Sequence, residues 1–148
     1  MNKLYYTYTE FQKDLKLLIH KIDKPFDAIV PIARGGLSMG QMLGEYYDIR
    51  EVHTINTIGY NGAQKLSHTK VFNIPNLSKH KNVLIVDDIV DSGETLIEVL
   101  KVLESKYPTI IFSTASIFYK RTALIEPTWW IKEPKGWIDF FWSEDLKD

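Results

Sequence analysis

Apolar positions along the chain fall into short blocks that switch between helical and extended spacing. Phe11, Leu15, Leu18, Ile19 and Ile22 lie on one helical face, with Thr9 and Gln12 spaced as a capping box and Pro25 as a stop, which predicts a first helix. Ala28–Ile32 is a continuous apolar run, the pattern of a short buried strand. It breaks at Ala33-Arg34-Gly35-Gly36, and a helical stretch follows over Leu37–Tyr47. Val52–Ile58 predicts a second strand on an imperfect alternation, whereas Tyr60–Lys81, with Gly62, Pro75 and several Asn and Ser residues, reads as a long loop or small flap. Val83–Val86 is the next apolar strand. Leu96, Val99, Leu100 and Leu103 then form the buried stripe of a helix that runs to about Tyr107, ahead of Pro108. Thr109–Tyr119 and Trp137–Trp142 supply two further strands.

Strands alternating with helices predict an α/β fold with a mainly parallel sheet flanked by helices. In such folds ligands bind at the carboxyl ends of strands, so the two strand-loop-helix junctions, after Ile32 and after Val86, are the places to look for chemistry.

Composition narrows the partners. A chain of 148 residues fits one domain, and 45% hydrophobic with 25% charged residues is ordinary for a globular protein. With 18 Lys plus Arg against 19 Asp plus Glu, no overall charge holds the chain on nucleic acid, so any polyanion site is local. One stretch is cationic: between Glu51 and Asp87 there is no acid, while Lys65, Lys70, Lys79 and Lys81 fall there. The absence of cysteine removes disulfides, zinc-thiolate sites and thiol nucleophiles together. His20, His53, His68 and His80 are scattered without metal-ligand spacing. Met1–Tyr8 lacks the basic segment and apolar stretch of a signal peptide and no apolar run approaches ~20 residues, so a cytoplasmic location is the expectation.

The densest chemistry is Val83-Leu84-Ile85-Val86-Asp87-Asp88-Ile89-Val90-Asp91-Ser92-Gly93-Glu94-Thr95. A pair of carboxylates at the end of a buried strand needs hydroxyls, a cation or basic groups as partners. The helix start that follows offers unpaired amides, a glycine for close approach and the Ser92 and Thr95 hydroxyls, which together suit a phosphate. A plainer reading has Asp91 or Ser92 capping the helix and the acid pair solvated.

The whole segment resembles the 5-phosphoribosyl-1-pyrophosphate (PRPP) signature of the type I phosphoribosyltransferases, in which an apolar strand leads to two acids, two apolar residues and Asp-Ser/Thr-Gly-x-Thr. The resemblance implies that Asp87 and Asp88 hold the ribose hydroxyls, with Asp88 helping to order Mg²⁺. It further implies that Asp91, Ser92, Gly93, Glu94 and Thr95 bind the 5′-phosphate, and that Asp91 is the catalytic proton-transfer group near N7 of the base. Pro31-Ile32-Ala33-Arg34-Gly35-Gly36 is similar to the family's pyrophosphate loop, which makes Arg34, Gly35 and Gly36 PRPP-binding candidates. Tyr60 to about Ser78 falls where the family keeps a mobile loop, and Gln64-Lys65 resembles its Gln-Arg, so Lys65 is a candidate pyrophosphate contact.

Phe118-Tyr119-Lys120 resembles the position where 6-oxopurine enzymes set a lysine against the exocyclic oxygen of the base, and Thr128-Trp129-Trp130-Ile131-Lys132-Glu133-Pro134 resembles Thr-Trp-Ile-Glu-Gln-Pro of the bacterial xanthine-guanine subfamily. Lys120, Trp130 and Ile131 are therefore the base-binding candidates, while Trp129, Trp137 and Trp142 read as core or subunit-interface residues. The implied fold adds a small hood and a flexible loop to the sheet. The implied activity is purine salvage, joining guanine, xanthine or hypoxanthine to PRPP with release of pyrophosphate in a homo-oligomer, dimer or tetramer. Two rivals are a ligand-sensing regulator on the same fold and a receiver-like domain. Near-neutral charge counts against the first, and the Asp-Ser-Gly-Glu-Thr cradle has no purpose in the second.

Overall fold

The structure, a computed structural model, describes residues 2–60 and 68–148. Its elements in chain order are β1 (Lys3–Tyr6), α1 (Tyr8–Lys21), β2 (Ala28–Ala33), α2 (Leu37–Tyr47), β3 (Ile55–Tyr60), β4 (His68–Phe72), β5 (Asn82–Val90), α3 (Glu94–Lys106), β6 (Ile111–Tyr119), β7 (Trp129–Lys132), β8 (Trp137–Phe140) and α4 (Phe141–Glu144). Six strands form one sheet in the order β4-β3-β2-β5-β6-β7, parallel throughout except where β4 returns antiparallel to β3. The α/β class expected from the alternation of strands and helices is the class observed.

Both faces of this sheet are covered, as unbroken apolar runs require. Along β2 and β5 the side chains alternate. Ile29, Leu84 and Val86 pack with Phe11, Leu15 and Leu18 of α1 and Met39 and Leu43 of α2, whereas Ala28, Val30, Val83 and Ile85 pack with Leu96, Val99 and Leu103 of α3. Gly40 lets α2 lie close against β2, because a Cβ there would stand 2.6 Å from Cγ of the buried Pro31. Gly40→Ala should lower the melting temperature: overpacking costs about 1–3 kcal/mol, against about 1 kcal/mol gained in helix propensity. A thermal melt measures the difference.

Several boundaries differ from those read off the sequence. The capping box is formed by Thr7 and Glu10, not Thr9 and Gln12: Glu10 N donates to Thr7 Oγ1 at 3.0 Å and Thr7 N to Glu10 Oε2 at 2.9 Å. Val52 makes only an isolated bridge to Ile29, and the strand predicted from it begins at Ile55. The flap contains β4 as the antiparallel partner of β3. β5 continues through the acid pair to Val90, where β6 supplies partners as far as Tyr119. β7 and β1 were not foreseen. β1 pairs in parallel with β8, and these two strands form a small separate sheet over the carboxyl ends of the main one, the hood of the expected fold. Tyr6 ties the hood down by donating to the buried Asp14 of α1 at 2.5 Å, and Asp14 is also 2.7 Å from Lys132 Nζ of β7.

Candidate active site

β2 is followed by β3 on one side of the sheet and borders β5, whose own crossover leads to β6 on the other side. Chain direction across the sheet therefore reverses at the β2–β5 pair, and the crevice at the carboxyl ends of those strands is where an open α/β sheet accommodates ligands. A cavity of about 870 Å³ occupies that position. Arg34 and Gly35 line it from the end of β2; Asp87, Asp88, Asp91, Ser92, Gly93 and Thr95 line it from β5 and the start of α3.

The two sequence motifs meet directly. A Cβ on Gly35 would fall within the Asp88 carboxylate, so the absence of a side chain at Gly35 is what allows the loop to close over the acid pair. The Ala33–Arg34 peptide in this loop is cis. Asp88 Oδ1 accepts from Ile89 N at 2.7 Å and Asp87 Oδ1 from Asp88 N at 2.9 Å, which holds both carboxylates at the strand end. Burial pushes the Asp87 carboxyl well above the usual carboxylate range, with the neighbouring Asp88 charge adding to it, and burial likewise raises Asp88. A crowded acid pair that resists double ionisation is a good seat for a cation or for ribose hydroxyls.

The anion end of the cavity is built by α3. Its N-cap is Gly93, with φ of 88° and no side chain of its own to cap with, so the positive end of the helix faces the cavity. Ser92, one residue ahead of the N-cap, accepts through Oγ from the first helical amide, Glu94 N, at 3.2 Å, whereas Asp91 points out to an ion pair with Lys120 at 3.5 Å. A Cβ on Gly93 would lie 2.9 Å from Leu124 N, so close packing and the left-handed backbone both require glycine there.

A second cavity of about 670 Å³ adjoins the first, and the two share Ile89, Asp91, Ser143 and Lys147. Lys120 opens onto it; its backbone N bonds to Val90 O at 3.0 Å, which sets the lysine beside Asp91. The far wall is β8, with Trp137, Ile138 and Asp139.

Of the residues singled out in sequence, Arg34, Gly35, Asp87, Asp88, Asp91, Ser92, Gly93, Thr95 and Lys120 are brought together around the joined cavities. Gly36 and Glu94 stand just behind the wall, where the Gly36 amide bonds to Ile32 O at 2.9 Å and the Glu94 amide to Ser92 Oγ. Lys65 lies outside the described residues. Trp130 and Ile131 line neither cavity. Trp130 instead packs against Tyr119, lies under the Arg121 guanidinium and donates to Glu126 Oε2 at 3.0 Å. Thr57, Trp137, Ile138, Asp139, Ser143 and Lys147 were missed as site residues. The Trp137-Ile138-Asp139 run repeats the Trp-Ile-acid order of the motif assigned to Trp130-Ile131, and was a second signal available in the sequence.

The family model for the phosphoribosyl transferase domain matches residues 6–148. The chain belongs to this family. A xanthine-guanine phosphoribosyltransferase of Cereibacter sphaeroides is 31% identical over 81% of this chain and 71% of its own. One of Roseobacter denitrificans is 34% identical over 59% of this chain, and the match spans about half of that relative, 51%. Among solved structures, the xanthine-guanine-hypoxanthine phosphoribosyltransferase of Helicobacter pylori superposes with a TM-score of 0.90 at 38% identity, covering 98% of this chain and 96% of that one. The resemblance first seen in the acid-pair segment thus extends through the fold, hood included. Among the described residues no helix is long and apolar enough to cross a membrane.

Proposed function

We propose that the chain is a single-domain purine-salvage enzyme that transfers the 5-phosphoribosyl group from PRPP to guanine, xanthine or hypoxanthine. The observation that carries this reading is the pair of joined cavities meeting at Asp91, one built for a phosphorylated ribose and the other walled by an aromatic ring and a lysine. The 5′-phosphate takes the start of α3, with the Ser92 and Thr95 hydroxyls beside it. Ribose hydroxyls bond to Asp87 and Asp88, and pyrophosphate reaches Arg34 and the Gly35 loop. The acid pair beside Gly35 fits a divalent ion, which Asp88 would hold; Mg²⁺ there would help neutralise charge on pyrophosphate.

Departure of pyrophosphate builds positive charge on the ribose, and the base must lose a proton as its nitrogen bonds to C1. Asp91 stands where both cavities open and takes that proton near N7. Lys120 donates to the exocyclic oxygen of a 6-oxopurine, and the Asp91–Lys120 ion pair keeps the two groups aligned before substrate enters. The exposed Trp137 ring offers a face for the purine, a role the structure supports better for Trp137 than for Trp130. Assembly as a homo-oligomer and a cytoplasmic location belong to the same proposal.

Turnover of each 6-oxopurine with PRPP, with and without Mg²⁺, tests the reaction; activity on adenine or orotate with none on the three 6-oxopurines overturns the substrate class. Trp137→Ala should raise KM for the base by ~10–100-fold, the worth of one stacking contact of about 1–3 kcal/mol, with PRPP affinity unchanged. Trp130→Ala should leave KM for the base within about twofold, since its ring is spent on packing outside the cavity. Steady-state kinetics on the two variants decides which tryptophan meets the base.

A further inference from the structure

The opposite, amino end of the sheet carries a second cluster of chemistry. Glu51 and His53 flank Val52, the residue that bridges to Ile29 at the start of β2: Ile29 N donates to Glu51 O and His53 N to Ile29 O, both at 2.9 Å. Residues two apart on an extended segment point to the same side. His80 ends the turn before β5, its N bonded to Leu77 O at 2.9 Å, and faces the same point. One ligand atom from each of Glu51, His53 and His80 lies within 4.8 Å of the others. His53 Nε2 is 3.2 Å from Glu51 Oε2, and His80 Nε2 is 3.9 Å from Glu51 Oε1.

His80 gives the cluster its direction. The imidazole is 6% exposed, yet Nε2 is buried without a hydrogen-bond partner among the described residues, an arrangement that costs free energy unless something else occupies the lone pair. On the other side of the ring, Nδ1 faces Asp27 Oδ1 at 3.5 Å, and Asp27 is itself anchored by the amides of Lys81 at 3.1 Å and Asn82 at 3.4 Å. A carboxylate behind Nδ1 holds the proton there and leaves Nε2 as a donor of electrons toward Glu51 and His53, the supporting arrangement that metal-ligating histidines have.

We propose that Glu51, His53 and His80 form a binding site for a transition-metal ion of the zinc class, separate from the acid pair of the reaction cavity. Two imidazoles and one carboxylate match the donor preferences of Zn²⁺ and its neighbours and are poor ligands for Mg²⁺. Tetrahedral bonds of 2.0–2.1 Å place donor atoms ~3.3 Å apart, so the present spacings need only small side-chain adjustments. Lys79 Nζ, 2.6 Å from Glu51 Oε1, stands near the place of the cation; the lysine is 71% exposed on a flexible stem and can swing into water when a metal arrives. The ion would pin the segment leading into β3 to the turn leading into β5, with water in the fourth position.

Titration calorimetry of the intact protein with Zn²⁺ in a large excess of Mg²⁺, which occupies the acid pair, tests the site. One Zn²⁺ should bind, His53→Ala and Glu51→Gln should each weaken it at least ~100-fold, and Asp27→Asn should weaken it ~10–100-fold. Lys79→Ala should tighten it by removing the competing ammonium. Both His53 and Glu51 are partly exposed, so these variants should fold, which a melt in EDTA verifies. No Zn²⁺ binding by the wild type, or binding that His53→Ala and Glu51→Gln leave unchanged, overturns the proposal.

Discussion

Asp91→Asn should lower turnover by ~10²–10⁴-fold while melting temperature and PRPP affinity stay close to wild type. The separation is clean because Asp91 has little structural work to do. Its side chain is 65% exposed, it does not cap α3, and its ion pair is with Lys120, itself 55% exposed. An exposed pair of this kind contributes about 0–1 kcal/mol, so its loss is not a folding defect. Asparagine keeps the shape and can still accept a hydrogen bond from Lys120, but it cannot take a proton. Steady-state rates, a thermal melt and calorimetry with PRPP and Mg²⁺ measure the three quantities. Turnover within a few-fold of wild type, with normal binding, would move the proton transfer to another group.

Gly35→Ala should be nearly as damaging, by a different route. Gly35 has no positive φ, so alanine is acceptable to its backbone, and the effect is purely the methyl group meeting the Asp88 carboxylate. Either Asp88 rotates away from its bond to Ile89 N or the loop carrying Arg34 lifts off; each displaces groups that must converge on the same substrate. A misplacement of about 1 Å costs ~10²-fold in rate, so PRPP binding in Mg²⁺ and turnover should both fall by at least that factor. Gly59→Ala is the matched control, since no heavy atom of the described residues lies within 4 Å of a Cβ there. If Gly35→Ala binds PRPP as tightly as Gly59→Ala, the loop and the acid pair do not act on one ligand.

The acid pair, the Asp-Ser-Gly-Glu-Thr helix start and the arginine-glycine loop were legible in sequence because each is local. A strand end, the turn after it and the first turn of the next helix are contiguous residues, and their chemistry is set by short-range backbone geometry. The central strands were legible for a related reason: only a segment covered on both faces reads as an unbroken apolar run, as Ala28–Ile32 and Val83–Val86 do. β1 and β7 gave weaker signals. β1 is largely exposed and becomes a strand only by pairing with β8, far along the chain.

Local pattern does not separate the two tryptophan segments. Trp130-Ile131 and Trp137-Ile138 have similar local patterns, and nothing within either segment says which one borders a ligand. The decision is made by sheet assignment: β7 joins the edge of the main sheet beside β6, whereas β8 crosses to pair with β1 and presents Trp137 above Asp91 and Lys120. The same holds for the histidines. Glu51 and His53 are near neighbours, but His80 reaches them only because the segment ahead of β3 and the turn ahead of β5 lie on either side of the amino end of β2. The order of apolar and polar residues by itself determined the α/β class and the two glycine-bearing junctions, and the acid-pair motif marked the segment that lines the main cavity. Only the tertiary structure decided that Trp137 and not Trp130 lines the second cavity, that Gly35 packs against Asp88, and that His53 and His80, far apart in sequence, meet beside Glu51. Those outcomes depend on strand order and crossover, which are settled by long-range burial and pairing and leave no mark in a local window of sequence.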